Sequence, residues 1–229
     1  MSFGLSEKLR VAFAPPRFIA PTLSGIDLST SGVKAVRLAP GPHGLTLASY
    51  ATAWLSSGAF TDGEIVDHAA AVEALSAATR AAGISATHAT LSESKSYLFE
   101  TAIPNTRKVE WRTAVEQRLD ELIPLPPTEV SFDLVGVGQS KEGETLVAGV
   151  GFARRIIDDT LSVFDQAQIE VRSLEGEPFA MARALIPAGD PSTVLIIDVG
   201  KTTTKLSIAA GRIPRFATTI GIGGHALTL

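Results

Sequence analysis

The chain has 229 residues, 45% of them hydrophobic, a formal charge of −4 and no cysteine. That length and apolar content supply the core of one large domain or two modest ones, and the lack of cysteine excludes disulfides and thiolate metal sites. No apolar run approaches the roughly 20 residues that span a bilayer, the first residues lack the order of a secretory signal, and no cluster of Lys and Arg suits a nucleic acid, so the composition fits a cytoplasmic protein.

In chain order, residues 1–22 carry Pro15, Pro16 and Pro21 and read as an N-terminal arm. Its apolar positions Phe3, Leu5, Leu9, Val11 and Phe13 have few basic neighbours, which favours packing on the protein over contact with a membrane. Strands are predicted at 24–28, 33–38 and 45–54, then a helix near 67–82 with Asp67 as its N-cap and Gly83 as its stop. These make a first subdomain, 23–91. Residues 92–175 break the pattern with strands near 96–103, 130–137 and 144–152 and helices near 106–122 and 153–167. Val109, Val115, Leu119 and Leu122 form the apolar stripe of the first of these helices, and Ile156, Ile157, Leu161 and Phe164 that of the second. This part reads as an inserted α+β subdomain. Residues 176–229 begin with a helix near 177–186 and continue into another hairpin.

That last hairpin repeats the first. Gly25-Ile-Asp-Leu-Ser-Thr-Ser-Gly-Val-Lys34 and Ile196-Ile-Asp-Val-Gly-Lys-Thr-Thr-Thr-Lys205 each carry an apolar strand ending in aspartate, a turn of small residues and a lysine seven positions after the aspartate. One such turn is an ordinary hairpin; two with matching aspartate and lysine imply two similar subdomains across a cleft. Small turn residues let backbone N–H groups approach phosphate oxygens, and the aspartates can hold a metal ion through water. The phosphate candidates are Ser29, Thr30, Ser31 and Gly32 in the first turn and Gly200, Thr202 and Thr203 in the second; Lys34 either reaches a phosphate or lies on a solvated face, and Lys201 either adds charge to the phosphate site or projects to solvent at the turn tip. Lys205, one residue into its strand, either reaches a phosphate or lies on a solvated face. Asp27 and Asp198 are the metal candidates.

The paired turns resemble the phosphate loops of the actin-like ATPase superfamily, which implies an actin-like (ribonuclease H-like) α/β fold binding ATP and Mg²⁺ between its halves. Asp62-Gly-Glu-Ile-Val-Asp67, Leu91 to Glu100 with Ile103-Pro104, Glu116 to Asp133, and Ile220-Gly-Ile-Gly-Gly-His-Ala-Leu-Thr228 are similar to the PilM family of type IV pilus assembly proteins. The resemblance runs from about Gly25 to the last residue. It implies an SHS2-like insert that serves protein contacts, a groove beside it for the cytoplasmic tail of a PilN-like inner-membrane protein, and peripheral recruitment to that membrane. It also implies contacts with other pilus components and a C-terminal part beyond Leu229, hence weak or absent nucleotide binding by the chain as given.

Two departures from the superfamily pattern stand out: Ser29 replaces a common glycine, and Lys201 replaces an aspartate found in actin. No Glu or Gln in either turn is placed to orient water, so nucleotide binding is better supported than hydrolysis, and catalytic residues are left unassigned. His43, His68, His88 and His225 lack metal-pair spacing and read as surface or cap residues. Position 195 is Leu, so Val199-Gly-Lys-Thr-Thr is not a Walker loop. An FtsA-like cell-division protein, a GspL-like secretion component and a small-molecule kinase of the same superfamily stay open as alternatives.

Overall fold

The computed structural model describes residues 23–41 and 44–228; the expected arm at 1–22 and His43 lie outside the described residues. Five strands form the first sheet: β1 (Ser24–Ser29), β2 (Gly32–Gly41), β3 (Gly44–Trp54), β6 (Ala86–Leu91) and β10 (Glu170–Gly176), in the order β10-β6-β1-β2-β3. A two-stranded ribbon, β4 (Phe60–Thr61) and β5 (Glu64–Ile65), leads into helix α1 (His68–Ala82). The Asp67 carboxylate accepts the Ala70 N–H at 3.0 Å, a cap of about 1 kcal/mol, and Gly83 stops the helix at φ +67°. Ala71, Ala74, Ala78 and Ala82 are buried around Leu75. Their short side chains bring α1 close to the sheet, where Ile26, Leu28, Val33 and Ala35 complete the core.

The second sheet, β7 (Tyr97–Ile103), β9 (Thr145–Ala153) and β8 (Val130–Gln139), has the order β7-β9-β8 and is antiparallel. Phe99, Phe132 and Val147 on one face bury Val115, Leu119 and Ile123. Gly151 leaves room for that packing, since a Cβ there would lie 2.3 Å from Ile123 Cδ1 and the side chain would have to shift.

The single helix expected near 106–122 is two short ones, α2 (Trp111–Glu116) and α3 (Leu119–Leu122). At the break Arg118 leaves helical geometry, at φ −126°, and its guanidinium reaches Thr101 Oγ1 and the Ala102 carbonyl on β7. Val109 is 76% exposed and so stands outside the stripe expected of it. The helix α4 (Arg154–Gln166) buries Ile156, Val163 and Phe164, leaving Leu161 exposed.

The stretch expected as the insert, 92–175, also contributes to the first sheet and its core. Val163, Phe164 and Ile169 join the core around α1, and β10 pairs parallel to β6. Helix α5 (Glu177–Leu185) then leads to a third sheet, β11 (Thr193–Val199), β12 (Thr204–Ala210) and β13 (Ile213–Ile220), in that order, followed by the short α6 (Gly224–Leu227). Its core is small, with Ala182, Ile186, Ile196 and Ala209 buried, while Leu195, Ile197, Val199 and Phe216 are exposed.

Candidate functional site

The two predicted turns share one register. Asp27 stands opposite Lys34 across β1 and β2, and Asp198 opposite Lys205 across β11 and β12. They face one another, with Thr30 Oγ1 and Thr202 Oγ1 3.4 Å apart. Ser29 Oγ lies 3.2 Å from Ser31 Oγ, and Ser31 is half-buried. Lys201 and Thr202 are exposed at the second turn, where the Gly200 N–H bonds to the Thr203 carbonyl at 2.9 Å. Gly32 has a packing reason of its own: at φ +131° its Cβ would meet the Ala53 carbonyl oxygen at 2.1 Å.

The ionic partners differ. Lys34 Nζ donates to Asp27 Oδ2 at 3.1 Å and to Ser29 Oγ at 3.4 Å, while Thr90 Oγ1 on β6 donates to Asp27 Oδ1 at 3.1 Å. Lys205 leaves Asp198 and donates to Glu177 Oε2 at 2.5 Å. The same oxygen accepts the Glu93 backbone N–H at 3.3 Å, and the Glu93 carboxylate accepts the Thr219 hydroxyl. Asp198 has no side-chain partner among the described residues. With Glu93, Glu177 and Lys205 it lines a cavity of about 10 Å³, room for one water.

Sequence reasoning missed Glu93, Glu177 and Thr90, which lie far from the turns along the chain. The glycines after β13 are part of the site as well. Gly224 N–H donates to the Gly200 carbonyl at 2.8 Å and His225 N–H to the Lys201 carbonyl at 3.0 Å. A Cβ on Gly223 would lie 2.6 Å from the Lys201 and Thr202 backbone. His225 is exposed, as expected of it; His68 lies 3.6 Å from Asp159 and His88 Nδ1 2.8 Å from Ser173 Oγ.

This donor set fits a magnesium-bound phosphate. Hydroxyls of Thr30, Ser31, Thr202 and Thr203 and the Lys201 ammonium match phosphate oxygens, and the Asp27 and Asp198 carboxylates match a hydrated cation. Asp27, Glu93, Glu177 and Asp198 outnumber Lys34, Lys201 and Lys205 by one charge, so phosphate alone is disfavoured and its divalent-cation complex is not. Among the described residues no group of three or more His, Cys, Asp or Glu side chains could hold a metal ion.

A second cavity, about 300 Å³, opens between the insert and the first subdomain. Leu91, Phe152, Ile157, Leu174 and Phe179 supply its apolar wall, and Asp133 and Glu175 its carboxylates. It runs along β8, which among the described residues has a neighbouring strand on one side only. Glu64 on β5 is bidentate with Arg155 on α4, both contacts 2.9 Å, and 2.7 Å from Lys95. Those two cations hold the Glu64 carboxyl down to about 2.

Facing aspartate-bearing turns on two sheets, with an insert beside the first, define an actin-like fold. A family model described as type IV pilus assembly protein PilM matches residues 25–229, and the chain belongs to that family. Among solved structures it resembles PilM in a "PilM-PilN type IV pilus biogenesis complex", with a TM-score of 0.77 and 21% identity, over 93% of this chain and 64% of that one. The chain thus spans about two thirds of that protein's length. It also resembles the cytoplasmic domain of EpsL, an inner-membrane component of the type II secretion system of Vibrio cholerae, with a TM-score of 0.59 and 13% identity, over 86% of this chain and 70% of that one. At these identities the structures speak for the fold alone, so the cell-division, secretion and kinase alternatives gain nothing beyond it. No curated protein sequence matches the chain. No described helix is long and apolar enough to cross a membrane.

Proposed function

We propose that this chain is the nucleotide-binding scaffold of a type IV pilus machine, holding the N-terminal cytoplasmic tail of a PilN-like inner-membrane protein in the groove between insert and first subdomain. The observation that carries the reading is the groove itself. It is apolar, large enough for several side chains, and bordered by the free edge of β8, where an extended tail gains backbone hydrogen bonds while pockets take alternate side chains. The protein is then cytoplasmic and reaches the inner membrane through that partner.

Magnesium-bound ATP belongs between the facing turns, with Ser29, Thr30, Ser31, Thr202, Thr203, Lys34 and Lys201 toward the phosphates and Asp27 and Asp198 toward the hydrated cation. The subdomain layout supports this: an actin-like part, an insert from about residue 92, and a second actin-like part from about 176.

Isothermal titration of the intact protein with a synthetic PilN-like N-terminal peptide tests the reading. Micromolar or tighter binding is expected, lost in Phe179→Asp and retained in the Asp27→Ala/Asp198→Ala double variant. A Phe179→Asp protein that binds as well as wild type removes the groove from the proposal.

A further inference from the structure

We propose that the Lys205–Glu177 ion pair couples the two sites, so that phosphate bound in the cleft weakens the hold of the groove on its peptide. The inference rests on the reading of cleft and groove given above. Lys205 sits on the hairpin that bears the second phosphate turn, yet its ammonium goes to Glu177, the first residue of α5, at 2.5 Å. Glu177 Oε2 also takes the Glu93 backbone N–H, and Glu93 takes the Thr219 hydroxyl from β13. The chain neighbours of these acids form the groove wall: Gly176 and Phe179 beside Glu177, and Leu91 just before Glu93. The Glu177 carboxylate therefore joins the start of α5 to the phosphate hairpin, through Lys205, and to the entry to the insert, through the Glu93 N–H.

The charge balance makes this joint sensitive. Glu93, Glu177 and Asp198 line a cavity of about 10 Å³ together with Lys205, which is paired with Glu177 alone. The side chains of Lys205 and Glu177 are only 19% and 12% exposed, so their attraction is screened less than that of a surface pair. With phosphate in the cleft, Lys205 turns its ammonium toward it, and Glu177 is left facing two carboxylates. Moving the first turn of α5 relieves that repulsion, and Gly176 and Phe179 move with it. The groove of about 300 Å³ is the shape formed with the pair closed, so opening the pair degrades the fit. By linkage the peptide weakens nucleotide binding by the same factor.

Fluorescence anisotropy of a labelled PilN-like N-terminal peptide on the intact protein, with and without saturating Mg²⁺ and a non-hydrolysable ATP analogue, decides the matter. The peptide Kd is expected to rise at least about fivefold with the analogue, the low end of common coupling strengths. Glu177→Gln is expected to lose the dependence, with one peptide Kd with and without the analogue, whereas Lys205→Arg keeps it. Hydrogen exchange in wild type reads the same event without a variant, with faster exchange expected at residues 176–180 on adding the analogue. An unchanged Kd in wild type, the same dependence in Glu177→Gln, or unchanged exchange at 176–180 overturns the coupling. A peptide that never binds overturns the groove reading instead, and an analogue that never binds overturns the cleft reading.

Discussion

The two phosphate hairpins are alike in register and unlike in surroundings. In both, aspartate and lysine stand directly opposite one another. In the first the lysine stays with its own aspartate, and the two side chains are 52% and 32% exposed. In the second it turns to Glu177 from another element, in a pair sheltered from water. Strand pairing sets which side chains are neighbours; the elements packed against the hairpin decide which neighbour takes the charge. The difference separates a solvated pair of small energetic weight from one that ties three parts of the molecule together.

The largest predicted effect comes from the second hairpin. Glu177→Ala strands the Lys205 ammonium in a sheltered site and is expected to cost about 2–3 kcal/mol in urea unfolding, just under the range for a fully buried pair. A loss below about 1 kcal/mol would erase the contrast between the hairpins. Next is Gly223→Ala, whose new Cβ must push against the backbone of Lys201 and Thr202. Overpacking of this kind costs about 1–2 kcal/mol, and titration calorimetry should show weaker binding of magnesium-bound ATP, because the second turn is displaced while the first is untouched.

A smaller effect lies at Glu64 on β5, paired with Arg155 and Lys95. The Glu64 carboxyl, held at about 2 against an ordinary 4.5, contributes stability that is present above about pH 4.5 and is lost as the pH falls toward 2. Glu64→Gln should therefore melt below wild type at pH 7, with the gap in Tm closing between pH 4.5 and 2.5; a gap that widens on acidification would contradict the assignment. Smallest of all is Lys34→Met, expected to change stability by less than about 1 kcal/mol. Equal losses from Lys34→Met and Glu177→Ala would show that the hairpins are energetically alike after all.

Local patterns in the sequence determined a good deal of this molecule. The Asp67 cap, the Gly83 stop, the strands of the first subdomain and the two aspartate turns were legible because alternation, capping chemistry and small turn residues act over a few neighbouring positions. The helix near 106–122 was not, because it breaks where Arg118 reaches β7, a contact no periodicity carries. The place of α4 and β10 is not legible for a similar reason: they carry ordinary helix and strand patterns, and only packing on α1 and pairing with β6 bring them to the first sheet. Within the site, sequence spacing supplied the turns and their hydroxyls. Tertiary structure alone decided that Glu93, Glu177 and Thr90 join them and that Lys205 abandons Asp198, since a charge chooses its partner by distance and shelter from water rather than by position along the chain.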